Sequence, residues 1–223
     1  MTAQKFWESF SNKIEKKRNV LEKCWDSKGT SSGETEFTKT IKRVIKEAIT
    51  EAIEENFENV IDKGKKKTIP HGAYVLQNEY YRIDLIGWEQ KKRANFYSVD
   101  GGIEYYKLNN HAWDFDIAVE HENDSSDWSD EVIKLAHMFC GLRVVIGYFP
   151  YIKEGKEEMQ QKYLDAIADT IKTLKCQENM KHGEFLIILG DVVFKETENF
   201  EKLEYTPYLY NPDPQKEKFE PLK

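Results

Sequence analysis

Asp84 stands in the run Arg82-Ile-Asp-Leu-Ile86, a lone acidic residue among apolar ones. A carboxylate placed there costs free energy unless a partner or a metal ion compensates. A second acidic set follows in Trp113-Asp-Phe-Asp-Ile-Ala-Val-Glu-His-Glu122, which alternates as a strand does. Residues i and i+2 of a strand share a face. One face of this segment therefore carries Ile117, Val119 and His121, and the other carries Asp114, Asp116, Ala118, Glu120 and Glu122. Glu120 and Glu122 come last, just before a polar stretch. We expect Asp84, Glu120 and Glu122 to gather at one edge of a mixed sheet. Converging carboxylates repel one another, and a hard divalent cation cancels that repulsion. Mg²⁺, or Mn²⁺ in its place, suits few carboxylates with waters and a substrate phosphate. A cation so held makes its bound water more acidic and stabilises charge on phosphorus. The chemistry is phosphodiester hydrolysis.

Each of these residues has a plainer reading. Asp84 could be a buried aspartate paired with Arg82 or Arg143. Glu120 and Glu122 could line the solvent face of an edge strand. His121, on the opposite face from the glutamates, reads as a structural histidine. No GxxxxGK[ST], HExxH or GxSxG pattern is present, so phosphate-loop, zinc-protease and serine-hydrolase chemistries have no sequence support.

The elements that would position the site follow from periodicity. Phe6, Trp7, Phe10, Ile14 and Leu21 recur at helical spacing over 3–24, and 27–35 is a Gly/Ser/Thr loop. Ile41, Val44, Ile45, Ala48, Ile49, Ala52 and Ile53 make 37–57 an amphipathic helix. Lys39, Lys42, Arg43, Glu47, Glu51 and Glu54 stud its polar face. Residues 80–87 read as a strand, 97–109 as a hairpin around Asp100-Gly101-Gly102, and 113–122 as a strand. Asp127 or Ser129 could cap a helix with Val132, Leu135, Ala136 and Phe139 inward and Gly141 as its stop. The apolar runs 143–149 and 184–190 predict buried strands around a helix over 154–175, with Met159, Tyr163, Ile167, Ile171 and Leu174 inward. That arrangement implies a parallel pair joined by a crossover. From about Thr206 the chain is rich in Pro and charge and is expected to extend over the surface. The fold class is α/β, a mixed β-sheet flanked by helices.

The bulk properties set limits. At 223 residues the chain reads as a single domain, since domains run to roughly 100–200 residues. No apolar run reaches the roughly 20 residues that span a bilayer, so no membrane partner is expected. Cys24, Cys140 and Cys176 are odd in number and form no CxxC pair, which favours a reducing, cytoplasmic setting. A net charge of −7 excludes bulk attraction to a polyanion and leaves only local binding. Basic clusters at 39–46, 63–67 and 91–93 are candidates for that, or simply solvated faces.

Asp84 within a strand, Glu120-His121-Glu122 at the end of a later strand, and then a helix and a buried strand together resemble the PD-(D/E)XK nuclease superfamily. The resemblance covers roughly 37–190 and implies a restriction-endonuclease-like αβββαβ core. It implies that Asp84 and Glu120 bind Mg²⁺ and that Glu122 orients the attacking water. It also implies that Lys134 stands in for a lysine moved to the following helix, and that Glu47 or Glu51 adds an acidic residue from the first core helix. Ile83 replaces the proline of the family pattern, Glu122 replaces its lysine, and Asp84 and Glu120 lie 36 positions apart. The function so implied is hydrolysis of DNA phosphodiester bonds, in a homodimer. Two other classes stay open: a non-catalytic binding or assembly module, and a paired-carboxylate hydrolase acting on a non-nucleic substrate.

Overall fold

The computed structural model describes residues 1–26, 31–53, 56–57, 59–63, 69, 72–80, 82–90, 115–123, 127–149, 154–194, 200–213 and 215–222. Helices α1 (Ala3–Asp26) and α2 (Ser31–Ile53) come first, followed by strands β1 (Val60–Asp62), β2 (Tyr74–Tyr80), β3 (Ile83–Glu89) and β4 (Phe115–His121). Helix α3 (Trp128–Ala136), strand β5 (Cys140–Tyr148), helix α4 (Lys156–Thr173) and a 3₁₀ segment (Lys175–Lys181) follow. Strands β6 (Glu184–Phe194), β7 (Phe200–Asn211) and β8 (Lys218–Pro221) complete, among the described residues, one sheet of eight strands in chain order. The fold is α/β with a mixed sheet. β2, β3 and β4 are antiparallel, β4, β5 and β6 are parallel, and β6, β7 and β8 are antiparallel. No described helix is long and apolar enough to cross a membrane.

Helices cover both faces of the sheet, which is why the central parallel strands carry long apolar runs on both faces. In β5, Leu142, Val144 and Ile146 face α1 and α2, while Val145 faces α3 and α4. Phe6, Phe10, Ile14 and Leu21 of α1 pack with Ile41, Val44, Ile45, Ala48 and Ile49 of α2 in the first core. Trp128, Val132 and Leu135 of α3 and Leu164, Ile167 and Ile171 of α4 fill the second. α1 thus packs Phe6, Phe10, Ile14 and Leu21 into the core.

Arg143 breaks the apolar pattern of β5. It is fully buried, and its guanidinium donates to the carbonyls of Met138 (3.4 Å), Asn179 (3.0 Å) and His182 (2.5 Å). Burial lowers its pKa from the ordinary arginine value. Arg143 therefore pairs with backbone dipoles and leaves Asp84 alone.

Several expectations need correction. Residues Ser31 to Thr35 belong to α2 and not to a loop. The strand expected over 80–87 is divided, because Tyr80 ends β2, Arg82 turns at φ 66° and β3 begins at Ile83. α3 ends at Ala136, so Phe139 is outside the helix and 60% exposed, with its ring tilted against His182. Gly141 lies within β5, where a side chain would run into the Asp116 carbonyl. On α4 the buried face is Gln160, Leu164, Ile167, Ala168 and Ile171, with Met159 and Tyr163 turned outward. Gln160 is buried because its amide donates to Asp191. The expected surface tail, 206–223, supplies half of β7 and all of β8. Pro207 sits in β7 opposite Ile188 and offers its carbonyl to Leu222. The hairpin expected over 97–109 and the basic clusters 64–67 and 91–93 lie outside the described residues.

Candidate functional site

Antiparallel pairing sets the site. β3 and β4 align Leu85 with Val119 and Ile86 with Ala118. One pair further on, Asp84 stands opposite Glu120. Like charges directly opposite one another destabilise a sheet, so compensation is required, and the backbone provides part of it. The Asp84 N–H donates to Glu120 Oε2 (3.2 Å), and the His121 N–H donates to Asp84 Oδ2 (2.9 Å). Each carboxylate thus has one oxygen fixed by the facing strand. The other oxygen meets an ammonium group. Lys42 Nζ is 2.7 Å from Asp84 Oδ1, and Lys134 Nζ is 2.5 Å from Glu120 Oε1.

The two lysines arrive from opposite sides of the sheet, Lys42 from α2 and Lys134 from α3. Each has further partners. Lys42 reaches Glu79 Oε1 (3.0 Å), and Lys134 reaches Glu131 and the carbonyl of Arg82 (3.0 Å). Burial acts against both ammonium groups. The carboxylates beside them outweigh it and raise both pKa values. The Glu120 side chain is 4% exposed. Burial is the main cause that pushes its carboxyl up to about 7, with Glu131 and Asp84 adding to the rise and Lys134 opposing it.

This shift makes stability depend on pH. Between 4.5, the ordinary glutamate value, and about 7, the folded chain keeps a proton on Glu120 that the unfolded chain has lost. The native state binds more protons, so the fold loses stability as pH rises through that window. Glu120→Gln removes the loss. By pH 8 the variant is expected to exceed the wild type by about 2 kcal/mol, with the difference vanishing near pH 4. Urea denaturation at both pH values checks it, and a pH-independent difference would contradict the assignment.

The other expected site residues fall elsewhere. Glu122 is half-buried just past β4, and its N–H extends the ladder to the Ile146 carbonyl. Among the described residues, no three carboxylate, imidazole or thiolate groups converge to hold a metal ion. The expected cluster of three carboxylates is therefore a pair, Asp84 and Glu120, because the chain leaves the strand at Glu122. Glu47 and Glu51 pair with Lys17 (2.6 Å) and Lys13 (2.5 Å) across the α1–α2 contact. His121 turns to the opposite core, where its Nε2 lies 3.1 Å from the Tyr148 hydroxyl. Lys42, Glu79 and Glu131 were not singled out by sequence reasoning. Only the basic face of α2 hinted at Lys42.

Asp84 Oδ1 and the buried Glu120 Oε1 each face a lysine ammonium, so Mg²⁺, which tolerates few protein ligands and keeps its waters, could enter only by displacing those lysines.

No family model matches the chain, and no curated protein matches it. One solved structure that does match is the crystal structure of a carbon-nitrogen hydrolase from Helicobacter pylori G27, at 8% identity. The match covers 96% of this chain and 81% of that one, with a TM-score of 0.33. The assignment to the PD-(D/E)XK superfamily is corrected: no family model and no curated protein supports it. At that TM-score the likeness carries no argument about what this chain does.

Proposed function

We propose that the Asp84–Glu120 edge is a Mg²⁺-dependent phosphodiesterase site acting on DNA, with a homodimer as the form that would cut both strands. One observation carries the reading. Backbone N–H groups fix one oxygen of each carboxylate, and the other, Asp84 Oδ1 or Glu120 Oε1, is turned toward positive charge. The pair is therefore oriented before any ligand arrives. Mg²⁺ bound there supplies Lewis-acid stabilisation of phosphate charge and a more acidic water. Asp84 and Glu120 would hold the ion. Lys134, 34% exposed and adjacent to Glu120, is placed to orient the attacking water, a role for which Glu122 is less well placed.

Titration calorimetry with Mn²⁺ tests the reading. Saturable binding is expected, weakened at least tenfold by Asp84→Asn, which removes one charged ligand at a cost of roughly 1.4 kcal/mol or more. No binding by the folded wild type would overturn the proposal.

A second reading, a non-catalytic binding or assembly module, is favoured by a specific observation. Lys42 and Lys134 already face Asp84 Oδ1 and Glu120 Oε1, so their charge is balanced without a cation. Under this reading Mn²⁺ does not bind, and Asp84→Asn costs stability alone.

A further inference from the structure

We propose that the tip of the β2–β3 hairpin is a flap latched by two lysines, Lys42 from α2 and Lys134 from α3, which hold a strained turn against β4. The latch stands whether or not a cation ever binds at Asp84 and Glu120.

The backbone ladder does not reach the tip. Pairing of β3 with β4 runs from Gly87 opposite Ile117 to Leu85 opposite Val119 and ends there. Past Leu85 the strands are joined through carboxylates: the Asp84 N–H donates to Glu120 Oε2 (3.2 Å), and the His121 N–H donates to Asp84 Oδ2 (2.9 Å). His121 itself stays with the sheet, in register with Ile146 of β5 and with its ring on the Tyr148 hydroxyl. The turn is also strained. Glu79 has φ 50° and Arg82 has φ 66°, the left-handed region that glycine adopts freely and other residues adopt at a cost. The β2–β3 register pairs Asn78 with Leu85 and then Tyr80 with Ile83, passing over Glu79. Residues in such conformations persist only where their surroundings hold them, and they gather in parts that move or bind.

Each lysine grips one strained residue and one carboxylate. Lys42 Nζ lies 3.0 Å from Glu79 Oε1 and 2.7 Å from Asp84 Oδ1. Lys134 Nζ lies 3.0 Å from the Arg82 carbonyl oxygen and 2.5 Å from Glu120 Oε1. The tip is thus pinned from both faces of the sheet. Burial of Ile83 works with the lysines, because opening returns that side chain to water. The strain at Glu79 and Arg82 works against them. The closed tip is the ground state, and Leu85, the last residue paired with β4, is the hinge. Opening uncovers the Glu120 carboxylate, which the closed tip keeps from solvent. Such segments open locally, without unfolding of the core.

Native-state hydrogen exchange of the full chain, followed by NMR, tests the latch. The Asp84 and His121 amides report the tip, because carboxylates alone protect them. The Val145 and Ile187 amides, in the central strands, report global unfolding. The tip amides are expected to exchange with a shallow urea dependence and the central ones with a steep one, since little surface is exposed by a local opening. Raising NaCl from about 20 mM to about 1 M should speed the tip amides severalfold, as the partly exposed ion pairs are screened. Lys42→Met and Lys134→Met should each speed them roughly tenfold. Ile188→Val, three strands away in β6, should speed Val145 and Ile187 about fivefold and leave the tip amides unchanged. Arg82→Gly keeps the carbonyl that Lys134 holds and relieves the left-handed strain. It should slow the tip amides roughly two- to fivefold, because that relief outweighs the extra chain freedom of glycine. Tip amides that share the urea dependence of Val145 and Ile187 overturn the flap. So do tip amides indifferent to both lysine variants, or speeded by Arg82→Gly.

Discussion

On the proposed phosphodiesterase reading, Glu120→Gln is expected to lower Mg²⁺-dependent cleavage of plasmid DNA by roughly 10²–10³-fold, the scale seen when one charge-stabilising group is removed from a reacting centre. Under that reading Glu120 supplies Oε1, a buried oxygen facing Lys134. The substitution is nearly isosteric. The glutamine oxygen can still accept from the Asp84 N–H, and Lys134 keeps Glu131 and the Arg82 carbonyl. The variant should therefore fold, and above pH 7 it should be the more stable protein, so lost cleavage cannot be blamed on unfolding. Cleavage by Glu120→Gln at the wild-type rate, in protein freed of contaminating nuclease, would remove this edge from consideration as the reacting centre.

Arg143→Met is expected to destabilise the fold by about 3–5 kcal/mol. Methionine fills a similar volume and avoids the cost of a buried charge. It leaves the carbonyls of Met138, Asn179 and His182 without their donor, at about 1–3 kcal/mol for each buried group left unmet. The guanidinium also lies 5.4 Å from the Phe185 ring, and that contact disappears too. For a chain of this size each kcal/mol lowers the melting temperature by about 2–4 °C, so a drop of about 10 °C should appear in a thermal melt followed by circular dichroism. Arg143→Lys should not rescue it, because an ammonium cannot spread its donors over three carbonyls as the planar fork does. A variant melting within a degree or two of the wild type would mean that other donors or water serve those carbonyls. Arg143 holds the segment before β5 and the 3₁₀ turn before β6 together, so its loss loosens the connection from α4 into the sheet.

Local patterning carried the sequence reading where one element decides the outcome. The i, i+3, i+4 repeat of α2 survives as its buried face, although the helix starts earlier, at Ser31. The alternation of β4 correctly separates His121 from Glu120. It failed where the deciding partner is distant. Prolines at 207 and 221 argued against strands, yet β6 gives β7 a pairing edge, and the β7–β8 pair needs no N–H from Pro207. Met159 and Tyr163 have the right spacing for a core face. Gln160 displaced them because Asp191 lies beneath it on β6.

At the site, the amino-acid order alone determined that an aspartate would sit within one strand, and a glutamate near the end of another, because strand periodicity is a property of a few consecutive residues. Tertiary structure decided that Asp84 and Glu120 face each other, that Glu122 falls outside the pair, and that lysines from helices on opposite sides of the sheet meet their remaining oxygens. Register and helix placement are set by how the two cores pack over the whole chain, and no short stretch of residues encodes them.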